Sequence, residues 1–252
     1  MDARTSIRAV LFDLDDTLFD HRASARAALR CVHQMEECFR ALEFTAFEHA
    51  HARCLEAFHA RVVLGELSVD AARLGRFRYL YIEAGVEPSE EQLCATAARY
   101  RAEYMTSRQP VEGAARLLAT LKPHVRIGIV SNNVVREQEN KVRLCGFDEY
   151  VSALVISEEA GVAKPDPAIF RIALDRLGCD ASHAVMIGDS WTMDIEGARA
   201  AGIRAIWFNR TGQPMPEGAS DVVEVTALAP IEPVLSAIFQ EPRPEILQCA
   251  SA

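Results

Sequence analysis

Three carboxylates follow an apolar run near the start of the chain. Residues 10–18 read VLFDLDDTL, so Asp13, Asp15 and Asp16 stand close together. A carboxylate can attack an electrophile, transfer a proton or bind a metal ion. Like charges this close raise one another's pKa unless a cation offsets them, which favours a divalent metal ion here. The alternative is that Asp15 or Asp16 only caps the helix that follows.

The run before the aspartates predicts a strand that is buried on both faces. Residues 7–12 are apolar at nearly every position, which is typical of a central strand in a parallel sheet. In an open α/β sheet, ligands bind at the carboxyl ends of such strands, near the point where the strand order reverses. For Asp13 and Asp15 to face one ligand, the backbone must leave strand geometry at Leu14.

Later in the chain, further polar groups stand after or between apolar runs. Two pairs directly follow predicted strands, a lysine lies in a loop before a predicted helix, and an aspartate lies just inside another predicted helix. These groups are Ser131, Asn132, Gly188, Asp189, Lys164 and Asp194. If the sheet is parallel, all of them lie at one edge of it and can converge on one site.

Between the first aspartates and residue 108, the sequence predicts only helices. Their expected ranges are 22–42, 44–64, 68–83 and 89–106, the last opening on a Ser-x-x-Gln capping box. Four helices without a strand are too long for one ordinary crossover. We therefore interpret this passage as an inserted helical cap.

From residue 111 onward, helical patterns alternate with apolar strand patterns. The last two predicted helices cover 192–201 and 226–239. Strands alternating with helices favour an α/β core with a parallel sheet covered on both faces. The expected domains are a core of residues 1–17 and 110–240, an all-helical cap of residues 18–109 and a loose tail of residues 241–252.

Composition restricts the class of protein. The 252 residues include 27 Lys plus Arg and 36 Asp plus Glu, a formal charge of −9, and no dense basic run, which argues against a nucleic-acid binder. The seven cysteines are scattered without a Cys-x-x-Cys pair, so neither a disulfide framework nor a zinc site is expected. No stretch is long and apolar enough for a membrane span, and no secretory signal is visible, so we expect a cytoplasmic protein. The expected oligomeric state is a monomer or a homodimer.

Taken as a set, the chemically active residues resemble the four motifs of the haloacid dehalogenase (HAD) superfamily, in which most members are magnesium-dependent phosphatases. The first motif, D-x-D-x-T, matches Asp13, Asp15 and Thr17. The other three are matched by Ser131, by Lys164, and by Gly188, Asp189 and Asp194 as G-D-x-x-x-x-D. The resemblance spans nearly the whole chain and implies a Rossmann-like core with an inserted helical cap of the C1 type. The stretch 154–165 is similar to that of pyrimidine 5′-nucleotidases and N-acylneuraminate-9-phosphatases.

The resemblance implies a catalytic role for the first and fourth motifs. Asp13 would attack phosphorus and form an aspartyl-phosphate, while Asp15 would protonate the leaving alkoxide and then deprotonate water. Mg²⁺ would be bound by Asp13, the backbone carbonyl of Asp15 and Asp189. Thr17 and Gly188 would support this arrangement.

The resemblance also implies a set of phosphate-binding groups. The Ser131 hydroxyl and the backbone N–H groups of Leu14 and Asn132 would donate hydrogen bonds to the phosphate, and Lys164 would hold the transferring oxygens. Asp194 would orient Lys164 or a metal-bound water. The alternative for Asp194 is a carboxylate that is merely stabilised near a helix N-terminus.

Several reactions of the superfamily remain to be separated. The acid at Asp15 disfavours dehalogenation, and the absence of lysine between Thr17 and Arg108 argues against phosphonate cleavage through a Schiff base. A phosphomutase, or a protein that binds phosphorylated ligands without turnover, stays an alternative. The leading prediction is a Mg²⁺-dependent phosphatase of a small phosphorylated metabolite, such as a nucleoside monophosphate or a sugar phosphate.

Overall fold

The computed structural model describes residues 6–219 and 221–239. The tail predicted to be loose, residues 241–252, lies outside the described residues. The chain divides into two compact units. One unit, the core, contains the residues up to Asp20 and from Pro110 onward, and the other, the cap, contains His21–Gln109. None of the helices that the structure describes is long and apolar enough to cross a membrane.

The cap is entirely helical over its described residues. Its helices are α1 (His21–Met35), α2 (Glu37–Arg40), α3 (Phe44–Val63), α4 (Val69–Glu83) and α5 (Glu90–Thr106). The predicted capping box opens α5: the Ser89 hydroxyl accepts from the Gln92 N–H, and the Gln92 side chain accepts from the Ser89 N–H. The first predicted helix, over 22–42, was wrong in one respect, because extended backbone at Glu36 separates α1 from α2.

The core contains a parallel sheet, as predicted, and six of its strands lie in the described residues. Its strands are β1 (Ala9–Phe12), β2 (Arg126–Ser131), β3 (Ala153–Ile156), β4 (Ala184–Gly188), β5 (Arg204–Phe208) and β6 (Val223–Val225). They lie in the order β3-β2-β1-β4-β5-β6. Every residue of β1 and β4 is buried, which explains why these segments are nearly continuous apolar runs. The order changes direction at β1, and this is the switch point at which such sheets bind ligands.

Six α-helices lie in the part of the core that the structure describes. They are α6 (Ala114–Leu121), α7 (Val135–Leu144), α8 (Ser157–Ala160), α9 (Pro167–Leu177), α10 (Gly197–Ala200) and α11 (Glu232–Phe239). Asp166 caps α9, and Pro167 follows at its first position, where the missing N–H costs nothing. The predicted start of the last helix at residue 226 was wrong, since α11 begins only after Pro230, whose ring and missing N–H do not fit a helix interior.

Candidate active site

Asp13 directly follows the central strand. Its backbone N–H donates to the Ile187 carbonyl at 2.9 Å, which ties it to the neighbouring strand β4. The chain then turns sharply, because the Leu14 carbonyl accepts from the N–H groups of both Leu18 at 3.0 Å and Phe19 at 2.8 Å. The expected departure from strand geometry is therefore present, and it begins after Phe12.

Lys164 lies between two buried carboxylates. Its Nζ donates to Asp13 Oδ1 and to Asp194 Oδ1, each at 2.6 Å, and all three side chains are almost fully buried. Burial disfavours the charged ammonium, but the two carboxylates outweigh it and raise the pKa of Lys164 above its ordinary value. Lys164 is therefore a cation at neutral pH. Asp13 and Asp194, which are 181 positions apart in the sequence, therefore both contact Lys164.

Asp13 has an unfavourable electrostatic environment in the absence of a further cation. Burial raises the pKa of Asp13 well above its ordinary value, and Asp194 and Asp189 raise it further, whereas Lys164 acts in the opposite direction. One carboxylate oxygen from each of Asp13, Asp189 and Asp194 lies within 4.8 Å of the others. Such a set of hard oxygen ligands fits Mg²⁺, and it would relieve the repulsion. Asp194 was expected to orient Lys164 or a metal-bound water, and its place in this set adds a candidate ligand. The remaining predicted ligand, the backbone carbonyl of Asp15, stays a prediction.

Asp194 is placed by a π-helical turn, Trp191–Glu196, where the sequence predicted an ordinary helix from 192 to 201. The wider turn continues into α10, and such turns are frequent at functional sites. Asp194 Oδ2 accepts from the Ser190 N–H at 3.0 Å, while its Oδ1 accepts from Lys164. The carboxylate is therefore held at both oxygens.

Gly188 leaves the space that Asp194 occupies. A Cβ atom at residue 188 would lie 2.4 Å from the Asp194 Cγ, far inside van der Waals contact. This steric reason accounts for the glycine of the fourth motif, which the sequence analysis had placed only as a supporting residue.

We expect Gly188→Ala to displace Asp194 and, through it, Lys164. Overpacking of this kind costs roughly 1–3 kcal/mol, so denaturant unfolding should show a lower free energy of unfolding. Turnover should fall together with stability, because the displaced residues lie in the carboxylate cluster. An alanine variant that unfolds at the same denaturant concentration as the unchanged protein would contradict this steric account.

Asn132 contacts Lys164 through its side chain. Its Oδ1 accepts from the Lys164 N–H and its Nδ2 donates to the Lys164 carbonyl, both at 2.8 Å. The sequence analysis considered only the backbone N–H of Asn132, so this positioning of the lysine loop is a role that it missed. The backbone N–H groups of Leu14 and Asn132 stay predicted phosphate donors.

Asp15 lies in a second polar network that the sequence analysis also missed. Lys141 Nζ donates to both carboxylate oxygens of Asp15, at 2.6 and 2.8 Å. Gln138 Nε2 donates to Asp15 Oδ2 at 2.9 Å and to Ser131 Oγ at 2.6 Å. The aromatic ring of Phe19 lies 5.2 Å from the Lys141 ammonium. Because Gln138 donates to Ser131, the Ser131 hydroxyl hydrogen is free to donate to a ligand.

Two signals in the sequence point to this network. The chain has only three lysines among its 27 basic residues, and two of them, Lys141 and Lys164, are buried beside the aspartates. On α7, Gln138 and Lys141 share the buried face with Val142, which is an unusual position for polar side chains. Thr17, the last residue of the first motif, is fully buried, and its hydroxyl has no hydrogen-bond partner among the described residues.

Comparisons with known proteins agree with the motifs. A family model described as haloacid dehalogenase-like hydrolase matches residues 7–202. The phosphoserine phosphatase of Thermus thermophilus is 32% identical, over 86% of this chain and 94% of that enzyme. The pyrimidine 5′-nucleotidase YjjG of Escherichia coli is 30% identical, over 90% of this chain and 96% of that enzyme. The latter belongs to one of the two enzyme classes that the stretch 154–165 resembles.

A solved structure shows the same fold. The HAD-hydrolase YfnB from Bacillus subtilis, in a crystal structure bound to magnesium, superimposes with a TM-score of 0.72 at 25% identity. The match covers 91% of this chain and 99% of that one. The family match extends over most of the chain, from β1 to the end of α10, and includes all four motifs. The chain therefore belongs to the haloacid dehalogenase-like hydrolase family.

Proposed function

We propose that the protein is a Mg²⁺-dependent phosphatase that hydrolyses a small phosphorylated metabolite through an aspartyl-phosphate on Asp13. The observation that carries this proposal is the cluster of Asp13, Lys164, Asp194 and Asp189 at the carboxyl edge of the sheet. The two enzymes that are about 30% identical act, by their names, on phosphoserine and on pyrimidine nucleotides. Their substrates differ in everything except the phosphate ester, which supports phosphomonoester hydrolysis as the shared reaction.

In the proposed mechanism, Asp13 is the nucleophile because a carboxylate oxygen at the end of β1 can attack phosphorus and split hydrolysis into two easier steps. Lys164, which donates to Asp13, stabilises negative charge on the oxygens of the phosphoryl group. Ser131 donates its hydroxyl hydrogen to the same oxygens. Asp13, Asp189 and the backbone carbonyl of Asp15 would hold Mg²⁺, with the Asp194 carboxylate beside them, and the ion would supply charge neutralisation at the phosphate. Asp15 transfers the proton to the leaving oxygen and later removes one from water.

The experiment that tests this function measures release of inorganic phosphate. The purified protein is assayed with p-nitrophenyl phosphate and with a panel of nucleoside monophosphates, sugar phosphates, phosphoserine and phosphoglycolate, each with Mg²⁺ and with EDTA. We expect release that requires Mg²⁺. Absence of release from every compound at any Mg²⁺ concentration would contradict the proposal, and the substrate turned over fastest would narrow the metabolite class.

Mg²⁺ is expected to stabilise the folded protein, more strongly at neutral than at acidic pH. A ligand at a hundredfold excess over its dissociation constant adds about 2.7 kcal/mol to the free energy of unfolding. The metal binds the ionised carboxylates, and burial raises the pKa of Asp13, so protons compete at a higher pH than for an ordinary aspartate. The rise in melting temperature on adding Mg²⁺ should therefore shrink as the pH falls.

This stabilisation has a matched control. Asp189→Asn removes one proposed ligand and should abolish most of the Mg²⁺-dependent rise. Asp180→Asn makes the same change at an exposed aspartate and should leave the rise intact. A rise that is the same in both variants would mean that Asp189 does not bind the metal.

Lys141 is expected to matter most for substrates with poor leaving groups. Lys141→Met removes the ammonium that holds Asp15, so proton transfer to the leaving oxygen suffers. General acid catalysis is worth roughly 10²–10⁴-fold, so kcat/KM for glycerol phosphate should fall by about 10²-fold or more. Release of p-nitrophenolate needs no proton, and kcat/KM for p-nitrophenyl phosphate should fall far less.

The control for this prediction is Arg143→Met, which changes an exposed basic residue of the same helix α7. It should leave the ratio of the two kcat/KM values unchanged. A Lys141→Met variant that loses activity equally on both substrates would show a general structural role for Lys141 instead of positioning of Asp15.

A further inference from the structure

Helix α4 of the cap carries a buried arginine, Arg76, that forms no ion pair within the described part of the chain. Arg76 is 8% exposed, and its Nε has no hydrogen-bond partner among the described residues. The arginines of α4 that form ion pairs with carboxylates in the described part of the chain are Arg73 and Arg78. Arginine does not lose its proton in proteins. Arg76 is therefore a cation in surroundings that penalise an unpaired charge.

A second unpartnered donor lies near Arg76. His51 of α3 is 2% exposed, and its Nε2 has no hydrogen-bond partner among the described residues. Burial lowers the pKa of His51 well below its ordinary value, and the positive charge of Arg76 lowers it further, followed by that of His21. His51 is thus neutral at pH 7 and has one N–H to donate when that hydrogen is on Nε2.

Two aromatic rings lie beside the His51 side chain. The His51 ring centroid lies 5.4 Å from that of Tyr100 and 6.2 Å from that of Phe77. The positive charge of Arg76 also acts on the Tyr100 hydroxyl, whose pKa is raised by burial against this effect. The surroundings of His51 are therefore aromatic, and Arg76 adds a positive charge. A positive charge in apolar surroundings interacts more strongly with an anion than it would in water.

We propose that Arg76 and His51 form a binding site in the cap for a small oxyanion, a carboxylate or a phosphate group. The guanidinium supplies parallel N–H donors that match the two oxygens of such a group, and His51 supplies a further N–H. A metal cation does not suit this place, because Arg76 repels it. The site consists of cap residues alone, so its existence does not depend on the proposed phosphatase activity.

The first test uses stability of the full chain. An arginine that awaits a ligand destabilises the free protein, so Arg76→Met should raise the melting temperature in chloride buffer by roughly 2–4 °C. Sodium acetate and sodium sulfate, at the ionic strength of the chloride buffer, should raise the melting temperature of the unchanged protein more than that of Arg76→Met. The matched control is Arg78→Met, on the same helix, where the arginine already pairs with Glu87 and Glu90. It should respond to both anions as the unchanged protein does.

The comparison between variants separates this site from binding of sulfate elsewhere on the protein. Only the part of the rise in melting temperature that Arg76→Met abolishes is assigned to this site. Equal responses of Arg76→Met and the unchanged protein to both anions would overturn the proposal, whatever the melting temperature in chloride. In that case Arg76 is a packing residue of the cap.

The second test identifies the source of the anion, and this arm alone rests on the proposed function. Glycerol 3-phosphate and 3-phosphoglycerate differ only by a carboxylate in place of a hydroxymethyl group. If the anion is part of the substrate, kcat/KM for 3-phosphoglycerate divided by kcat/KM for glycerol 3-phosphate should fall about tenfold in Arg76→Met. The same ratio should stay constant in Arg78→Met. If a separate molecule supplies the anion, the ratio stays constant while the acetate response is still lost. Both results support the site, and the melting data remain decisive if neither ester is hydrolysed.

Discussion

Asp13→Asn is expected to abolish phosphate release. Loss of a nucleophile that acts together with its neighbours typically lowers kcat by about 10⁴-fold or more. Asparagine keeps the shape of the side chain but its amide is a far weaker nucleophile, so the effect on turnover should exceed any effect on folding. The change also removes one of the carboxylates that lie within 4.8 Å of one another. The assay is phosphate release from p-nitrophenyl phosphate with Mg²⁺, together with a thermal melt of each protein.

Asp16→Asn provides a matched control for the loss of one negative charge. Asp16 lies three residues further on, outside the carboxylate cluster, and its φ of 65° is in the left-handed region that asparagine readily adopts. This variant should keep its activity. Equal rates in the two variants, or a fully active Asp13→Asn protein, would rule out Asp13 as the nucleophile.

Lys164→Met is expected to cause the largest loss of stability. Removing one partner from a buried ion pair costs roughly 3–5 kcal/mol, because the remaining charges stay buried without compensation. Here two carboxylates, Asp13 and Asp194, would both lose the ammonium that lies 2.6 Å from each. Denaturant unfolding in EDTA should show this loss, and Mg²⁺ should reduce it by supplying another positive charge to the same carboxylates.

A double variant tests the electrostatic cause. Adding Asp13→Asn to Lys164→Met removes one of the stranded carboxylates, so part of the lost stability should return. Lys122→Met is the control, since the exposed Lys122 ammonium donates to the Glu149 carbonyl and lies 5.7 Å from the centroid of the Tyr150 ring. Exposed changes of this kind typically stay within about 0.5 kcal/mol. If the double variant is less stable than Lys164→Met alone, repulsion between the stranded carboxylates is not the cause of the loss.

The sequence alone was sufficient for the parts of the fold in which local pattern and burial agree. Apolar runs that are buried on both faces predicted β1 and β4, and a capping box predicted the start of α5. The helical pattern was misleading at two places, before α11 and between α1 and α2. The six residues before α11 contain a proline that prevents a helix, and the extended backbone at Glu36 interrupts a helical pattern that continues on both sides of it.

For the candidate site, the sequence predicted the residues that stand at strand ends or in motif order. Asp13, Lys164 and Asp194 do meet in the structure, although their distances in sequence are large. Gln138 and Lys141 were missed because they lie in the middle of a helix, where a glutamine and a lysine are ordinarily solvent-exposed. Only the packing of α7 brings them onto Asp15 and Ser131, and no local rule of helix formation contains that information.

The central position of β1 affects how the chain folds while it is being synthesised. This strand is synthesised before both of its partners, and the second of them, β4, ends only at Gly188. At 5–20 residues per second, translation from the end of β1 to the end of β4 takes roughly 9–35 s, and during this time one edge of an apolar strand has no partner. Helices α1–α5 emerge in the interval and have partners nearby in sequence. A nascent chain that stalls before residue 188 therefore leaves one edge of this apolar strand unpaired, and we expect such a chain to bind chaperones.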